Sequence, residues 1–335
     1  SMKVLLYTEG LKTISKSGLG KAIKHQMKAL EDNKIDYTTN LKDDFDVLHI
    51  NFYGPKSYLF AKKAKKKGKT IVYHAHSTEE DFRNSFIFSN QFSHIYKKML
   101  LNYYSRADLI LTPTPYSKKI IEGYGINVPI HYLSNGIDLS RFSYDIEKVK
   151  AFRKYFSLKE NELVVISVGL YFERKGILDF MEIAKKMPHV KFIWFGYTPL
   201  YSVPKKIRKA IENHPSNVIL PGYVKGAIIE GAYMNANCFF FASYEETEGI
   251  VVLEALASSQ NVLVRDIEVY NPWLVDQENC FKGKNNEEFI YYLDLILKNQ
   301  GLNIRKKGRE TAKQRSIQNI GKQLKKYYES VLNEN

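Results

Sequence analysis

The sequence predicts an α/β fold built from two doubly wound, Rossmann-like domains that face each other across a cleft. Apolar runs rich in β-branched residues alternate with helix-length segments along nearly the whole chain, as they do where helices connect buried parallel strands. The alternation restarts after residues 129–138, and two successive sets of such units indicate two domains. A length of 335 residues also suits two domains better than one.

The first set of strands is predicted by four apolar runs: KVLLYTE (3–9), FDVLHINFY (45–53), KTIVYHAH (69–76) and ADLILTPT (107–114). Between the first two runs, LGKAIKHQMKALED (19–32) has the pattern of a helix. The second set is predicted by five runs: ELVVISVGLY (162–171), VKFIWFGY (190–197), NVILPGYV (217–224), NCFFFAS (237–243) and NVLVRDI (261–267).

The domain boundary is expected near Asn135-Gly136, a dipeptide that favours turns. The domains then comprise residues 2–138 and 139–313. The remainder, about 314–335, is helical with no strand to follow, and we expect it to pack back on the first domain. Ligands in such sheets bind beyond the carboxyl ends of the strands, so the loops at those ends are the candidate site.

Composition narrows the class of protein. Two cysteines, Cys238 and Cys280, are too few for a disulfide framework and favour a reduced, cytoplasmic protein. No segment has the roughly 20 apolar residues that span a bilayer. The formal net charge of +14 favours an anionic partner such as nucleic acid or a membrane surface.

The stretch YEETEG (244–249), here named the acid–glycine loop, joins a predicted strand to the apolar helix IVVLEALA (250–257). The amides of Gly249, Ile250 and Val251 therefore begin a helix, where the dipole attracts an anion and glycine lets a phosphate approach. Helix capping by Glu246 or Glu248 is the simpler interpretation. Capping leaves Glu254, inside the apolar helix, unexplained.

A second loop, ERKG (173–176), here named the basic corner, follows the strand that ends at Gly169. Arg174 offers a planar fork of donors and Lys175 a point charge, a combination that suits a diphosphate. By itself this stretch would be an ordinary exposed basic loop. Together with the acid–glycine loop it predicts one nucleotide-diphosphate site.

The segment EETEGIVVLEA (245–255) resembles the E-x7-E signature of retaining GT-B glycosyltransferases of family 4. The basic corner and SNGID (134–138) also fall where that family has its basic pair and interdomain turn, and the resemblance covers essentially the whole chain. It implies that the second domain binds a nucleotide sugar and that the first binds the acceptor. It implies that Glu246 contacts the transferred sugar of the donor and that Glu254 contacts its ribose. The diphosphate of the donor would be held by Arg174, Lys175 and the amides of Gly249, Ile250 and Val251. Where the family usually has arginine, this chain has Leu170, and we infer that Arg174 takes over.

In the first domain, SKSGLGKAI (15–23) resembles the glycine-rich loop of the same family, which makes Gly18 and Gly20 candidate donor-binding residues. His76 aligns with the family's histidine at the reaction centre. His74 is predicted to be structural, since no companion ligands for zinc occur at useful spacing. DDFD (43–46) imitates a metal-binding Asp-x-Asp motif but precedes a buried strand. We expect no catalytic metal and no cofactor besides the sugar donor, UDP-glucose or UDP-galactose.

The acceptor is indicated by a narrower resemblance. HSTEEDFRNSFIFSN (76–90), TPTPYSK (112–118) and RDIEVY (265–270) resemble Gram-positive synthases that add a second hexose to monoglucosyl-diacylglycerol. Such an enzyme would be cytoplasmic and peripherally associated with the inner face of the cell membrane. The candidate membrane or acceptor residues are Lys62, Lys63, Lys65, Lys66, Lys67, Phe86, Phe88 and Phe92, with Tyr96, Leu100 and Tyr103 as further apolar candidates. Some of the apolar residues must instead belong to the core, and a solvated helix face is the simpler interpretation of the lysines.

Three interpretations remain open at this point. A membrane-associated glycolipid glycosyltransferase accounts for the motifs and the charge together. A soluble family 4 glycosyltransferase that acts on a protein, a polysaccharide or a small molecule leaves the charge incidental. A nucleic-acid-binding protein accounts for the charge alone, and the sequence has no module that reads nucleic acid.

Overall fold

The computed structural model describes residues 1–8, 18–52, 54–76, 89–224 and 226–334, and every structural statement below concerns these residues. They form two compact units. The first contains described residues of 1–76 and 91–137 together with 315–334, and the second contains residues 138–314.

The first unit is a parallel sheet with helices between its strands. Its elements in chain order are β1 (Lys3–Tyr7), α1 (Gly18–Asp32), β2 (Asp36–Thr38), β3 (Val47–Ile50), α2 (Pro55–Lys66), β4 (Thr70–His74), α3 (Ser89–Tyr104), β5 (Leu109–Thr112), α4 (Pro115–Glu122), β6 (Ile130–Tyr132) and the C-terminal helix α12 (Ile317–Glu334). The strand order is β2-β1-β3-β4-β5-β6, and every pairing is parallel. Val4 and Leu6 belong to one core cluster and Leu5 and Tyr7 to another. Since alternate residues of a strand point to opposite faces, helices cover both faces of the sheet.

The second unit repeats this plan. Its elements are α5 (Ile146–Tyr155), β7 (Val164–Val168), α6 (Ile177–Lys186), β8 (Lys191–Phe195), α7 (Lys205–Glu212), β9 (Val218–Gly222), α8 (Ala227–Asn235), β10 (Cys238–Phe241), α9 (Ile250–Ala257), β11 (Val262–Arg265), β12 (Phe281–Gly283), α10 (Asn286–Leu297) and α11 (Arg305–Lys313). Short 3-10 helices cover Leu139–Phe142, Glu173–Lys175, Leu200–Ser202 and Glu268–Tyr270. The strand order is β12-β11-β10-β7-β8-β9, again all parallel.

The C-terminal helix α12 belongs to the first unit. Its apolar residues Ile320, Leu324 and Tyr328 are buried in the core cluster that contains Val4. At its start, the Ile137 amide donates to the Arg315 carbonyl (3.0 Å), and the Ile317 amide donates to the Ile137 carbonyl (3.2 Å). The last segment of the chain therefore completes the core of the first sheet.

Candidate active site

The acid–glycine loop leads from the end of β10 into α9. Gly249 has a φ of 94° and is the N-cap of α9, a left-handed conformation that an L side chain rarely adopts. The first intrahelical bonds are donated by Val252 and Leu253 to the Gly249 carbonyl. The amides of Gly249, Ile250 and Val251 thus precede the hydrogen-bonded turns, as an anion-binding helix start requires.

The basic corner meets this loop at Glu246. Lys175 Nζ donates to both carboxylate oxygens of Glu246 (2.8 and 3.0 Å), and Arg174 Nη1 donates to Oε2 (2.9 Å). The side chain of Glu246 is 7% exposed, that of Lys175 16% and that of Arg174 11%. Burial alone would raise the pKa of Glu246, but the two cations hold it below its ordinary value. Glu246 is therefore ionised, and one carboxylate shares two cations.

Backbone contacts fix the two loops against each other. Arg174 Nη1 donates to the Glu245 carbonyl (2.7 Å), and the Tyr244 amide donates to the Arg174 carbonyl (2.8 Å). Gly176 has a φ of 82°, and a Cβ there would lie 2.6 Å from the carbonyl oxygen of Ala242. Only glycine allows this approach, which brings residues about 70 positions apart in the chain together.

Glu254 lies inside α9 and is buried. Its Oε1 accepts a hydrogen bond of 2.9 Å from the hydroxyl of Tyr233, a fully buried residue of α8. The sequence predicted Glu254 but not Tyr233. A tyrosine in an apolar helix is most simply a core residue, and no local pattern links it to a position 21 residues away.

Two buried donors next to Glu246 have no hydrogen-bond partner among the described residues. They are Arg174 Nε and the hydroxyl of Tyr270. Burial first, and the charge of Glu246 second, raise the pKa of Tyr270 well above its ordinary value. Buried polar groups are normally satisfied, so this pair of donors suits an acceptor-rich ligand. Tyr270 lies in the motif RDIEVY, but its own role could not be foreseen from the sequence.

His76 follows β4 in the first unit and is partly exposed. Its Nε2 lies 2.7 Å from Asn51 Oδ1, and desolvation lowers the pKa of its imidazole to about 3. His74 is buried in the core and hydrogen-bonded to His49 and Gln26. Gly18 and Gly20 open α1, whereas residues 15–17 of the glycine-rich loop lie outside the described residues.

The lysine candidates for a membrane surface all lie on or next to α2. Lys62, Lys63, Lys65, Lys66 and Lys67 are exposed. Leu59, on the same helix, is 57% exposed. Phe86, Phe88 and the side chains of Phe92 and Tyr96 lie outside what the structure describes.

The prediction that Leu100 and Tyr103 offer apolar surface is wrong, because both are buried in the core of the first unit. The apolar residues that α3 does expose are Ile95 and Met99, which are 65% and 37% exposed. Met99 lies one helical turn before Tyr103, so the boundary between the exposed and the buried part of α3 falls between these two residues. Sequence alone did not fix which face of α3 meets the sheet.

Within the described residues, no set of three or more histidine, cysteine, aspartate or glutamate side chains could hold a metal ion. Over the same part of the chain, no helix is both long and apolar enough to cross a bilayer. The aspartates of DDFD make contacts within the first unit. Asp46 accepts from the Lys3 amide (2.8 Å) and Asp43 accepts from the Thr38 hydroxyl (2.6 Å).

Two parallel sheets flanked by helices, with an acid–glycine helix start and a basic corner in the second unit, define a glycosyltransferase of the GT-B fold. The crystal structure of Anabaena Alr3699/HepE in complex with UDP and glucose has this fold, with a TM-score of 0.77, 16% identity, and coverage of 98% of this chain and 100% of that one. Sucrose-phosphate synthase from Thermosynechococcus elongatus has it as well, with a TM-score of 0.73, 17% identity, and coverage of 87% of this chain and 75% of that one.

The chain belongs to the glycosyltransferases of group 1 and family 4. The family model "Glycosyl transferases group 1" matches residues 148–315, and "Glycosyltransferase Family 4" matches residues 33–141. The chain is 48% identical to the processive diacylglycerol alpha-glucosyltransferase of Acholeplasma laidlawii, over 99% of both chains. It is 25% identical to the alpha-galactosylglucosyldiacylglycerol synthase of Streptococcus pneumoniae, over 74% of this chain and 67% of that protein.

Proposed function

We propose that this chain is a retaining α-hexosyltransferase that moves glucose or galactose from a UDP-sugar to a glycolipid, with monoglucosyl-diacylglycerol as the acceptor. The observation that carries the proposal is Glu246 held between Arg174 and Lys175 beside the start of α9. The similarity to a diacylglycerol glucosyltransferase over 99% of both chains supports the acceptor class.

The donor side is assigned to the second unit. Arg174, Lys175 and the first amides of α9 would hold the diphosphate, and Arg174 Nε, which has no partner among the described residues, would gain an acceptor there. Glu246 would contact the transferred sugar. Glu254, oriented by the Tyr233 hydroxyl, would hold the ribose hydroxyls. Gly18 and Gly20 are the donor-binding candidates that belong to the first unit.

The proposed reaction is a front-face substitution at the anomeric carbon. The bond from that carbon to the β-phosphate oxygen breaks while the acceptor oxygen bonds on the same face, so the α configuration is retained. The departing phosphate takes the proton of the acceptor hydroxyl. Arg174, Lys175 and the helix amides would stabilise the charge that develops on it, as fixed donors do in such sites. His76 would contact the reacting sugar.

We further propose that transfer needs no divalent metal and no cofactor besides the donor, since two fixed cations already serve the diphosphate. Turnover in EDTA should equal turnover in added magnesium or manganese. Activity that disappears in EDTA and returns with either metal would contradict this part.

The enzyme is proposed to work at the inner face of the cell membrane, where its lipid acceptor resides. The exposed lysines of α2, together with Leu59, offer a basic surface that also carries an apolar side chain. Basic groups near an anionic leaflet each contribute about 1 kcal/mol to binding. Ile95 and Met99 on α3 are the apolar side chains proposed to insert.

The decisive experiment offers UDP-glucose and UDP-galactose separately, each with diacylglycerol and with monoglucosyl-diacylglycerol in mixed micelles. Mass spectrometry of the lipids counts the hexoses added, and NMR of the product reports its anomeric configuration. An α-linked hexose added to monoglucosyl-diacylglycerol is the expected result. A β-linked product would exclude retention, and absence of a lipid product with every pair would exclude the glycolipid acceptor.

A further inference from the structure

Polar side chains occupy alternate positions at and just beyond the ends of β3 and β4. His49 and Asn51 belong to one strand, and His74 and His76 to the other. Because alternate residues of a strand share a face, these four side chains lie on one side of the sheet. The rings of His49 and His74 stack with centroids 5.2 Å apart, and those of His74 and His76 with centroids 4.3 Å apart.

Two members of this group, His49 and His74, connect to the C-terminal helix. The hydroxyl of Tyr328, on α12, lies 2.5 Å from His49 Nδ1. His49 Nε2 lies 2.9 Å from His74 Nδ1. All three residues are buried at 1% exposure or less. A hydrogen-bonded chain thus runs from α12 to the end of β4.

His74 connects to His76 through two side-chain amides. Gln26, on α1, and Asn51 form a reciprocal pair, in which Gln26 Nε2 donates to Asn51 Oδ1 (2.8 Å) and Asn51 Nδ2 donates to Gln26 Oε1 (2.9 Å). Gln26 Nε2 also lies 3.2 Å from His74 Nδ1. His76 Nε2 lies 2.7 Å from the same Asn51 oxygen. The network therefore continues from His74 through both amides to His76.

The donors and acceptors of this network determine one another. Burial lowers the pKa values of His49 and His76 to about 3, so each ring is neutral, with one donor and one acceptor nitrogen. With the Asn51 amide in this orientation Oδ1 accepts, so His76 carries its proton on Nε2. Gln26 Nε2 only donates, so His74 Nδ1 must accept.

The same assignment of donors and acceptors extends along the hydrogen bonds to Tyr328 on α12. Since His74 Nδ1 accepts, His49 must donate from Nε2, which leaves His49 Nδ1 to accept from the Tyr328 hydroxyl. Side-chain amide orientation follows from such networks. The opposite orientation would require both amides, the two inner imidazoles and the hydroxyl to reverse together.

We propose that Asn51 is a positioning residue that holds His76 as the Nε2–H tautomer. The hydrogen bonds that run from Gln26 back to Tyr328 keep the Asn51 amide in the orientation that this tautomer requires. The role rests on the proposed function, because it matters for turnover only if His76 contacts the reacting sugar. It assigns one common role to buried polar residues from four separate elements, α1, β3, β4 and α12.

Protein labelled with ¹⁵N-histidine, without substrate, reports the tautomer of each ring in long-range ¹H–¹⁵N spectra, and His76→Gln identifies the signal of His76. Wild type should show the Nε2–H form. Asn51→Ala should show a mixture of tautomers, and Tyr328→Phe a smaller change in the same direction. Asn51→Asp, which still accepts, should retain the Nε2–H form and raise the pKa of His76 through its charge.

Kinetics on the same variants test the consequence. Asn51→Ala should lower kcat about ten- to a hundredfold, as misplaced catalytic groups do, with the KM for the UDP-sugar within about twofold of wild type. Asn261→Ala, at the opposite end of a strand in the second unit, is the control and should leave kcat unchanged. An unaltered His76 tautomer in Asn51→Ala would overturn the proposal. A changed tautomer with unchanged kcat would instead remove His76 from the proposed reaction.

Discussion

At the scale of single residues, the cluster of Glu246, Arg174 and Lys175 has more positive than negative charge. Glu246 is one carboxylate between two buried cations, so the trio retains a net positive charge in a region with little water. An isolated buried charge is costly unless it is paired. The excess charge therefore favours an anionic ligand, and a diphosphate would compete with Glu246 for the same two donors.

This competition gives a prediction for Glu246→Gln. Removing the carboxylate charge should strengthen binding of UDP itself by roughly tenfold, about 1.4 kcal/mol, while sugar transfer falls, since the contact with the transferred sugar is lost. Isothermal titration with UDP and a transfer assay measure the two effects. Glu182→Gln, on the exposed surface of α6, makes the same change of charge away from the site and should change neither. Weaker binding of UDP to Glu246→Gln would show that Glu246 supports the diphosphate site instead of competing for it.

The buried histidines give a second residue-scale prediction, for stability against pH. Burial lowers the pKa of His49 to about 3, and the neighbouring His76 adds to the effect, whereas an unfolded histidine titrates near 6.5. As the pH falls below about 6.5, histidines bind protons in the unfolded chain but not in the folded chain. The free energy of unfolding therefore decreases on acidification. Each such histidine contributes a slope of about 1.4 kcal/mol per pH unit below that point.

Urea unfolding of the first unit between pH 7.5 and 5 tests this slope before most carboxylates titrate. The free energy of unfolding should be flat above pH 7 and fall below 6.5. His49→Phe should reduce the slope, whatever its effect on stability at pH 7.5. His214→Phe, which replaces an exposed histidine, should leave the slope unchanged. A free energy of unfolding that is constant from pH 7.5 to 5 would contradict the prediction.

At the scale of elements, the central strands could be predicted from the sequence and three edge strands could not. β1, β3, β4, β5 and β7 to β11 all fall within predicted apolar runs. The strands β2, β6 and β12 have three residues each and lie at sheet edges. Such short segments have no hydrophobic period of their own, and only the pairing with a neighbouring strand defines them.

The candidate site divides in the same way. Glu246, Gly249 and Glu254 lie within one short stretch, and the spacing of local motifs can be read from the sequence. Tyr233, the partner of Glu254, comes from another element, as do the residues that contact His76. Contacts of this kind depend on how helices pack across the sheet, which the spacing along the chain does not encode.

The packing of α12 on α1 gives an element-scale prediction. A Cβ at Gly321 would lie 2.5 Å from the Ala29 carbonyl oxygen and would also clash with the Asn33 side chain. Gly321→Ala should therefore destabilise the first unit by about 1–3 kcal/mol, the usual cost of overpacking. Urea unfolding measures the loss. At Gly301 an added Cβ would meet its nearest atom at 3.5 Å, so Gly301→Ala is the matched control and should change stability little. Equal stability of the two variants would mean that α12 and α1 can separate at no cost.

At the scale of the whole molecule, positive charge is denser in the first part of the chain. Residues 1–138 contain 21 Lys and Arg against 13 Asp and Glu, whereas the remaining 197 residues contain 29 against 23. Seven of the lysines lie within residues 56–69. Five of these, at 62, 63, 65, 66 and 67, are exposed on or next to α2. The first unit therefore carries the surface best suited to an anionic leaflet.

The last prediction tests whether this charge acts on membranes. Changing Lys62, Lys63, Lys65, Lys66 and Lys67 to Gln should weaken sedimentation with anionic vesicles, with about 5 kcal/mol as the upper bound. Screening should reduce the wild-type advantage as salt rises. Hydrolysis of the donor in solution should be unchanged, because the residues assigned to the diphosphate lie in the second unit.

The matched control changes five exposed lysines of the second unit to Gln: Lys185, Lys186, Lys205, Lys206 and Lys209. It removes the same charge, so any effect of net charge alone would appear equally in both variants. We expect the α2 variant to bind vesicles more weakly than this control does. That result would show that the location of the lysines on the first unit matters, and not the net charge alone. Equal binding of both variants and wild type at low salt would leave the lysines of α2 as a solvated helix face. Ile95 and Met99 on α3 would then be the remaining described candidates for the membrane contact.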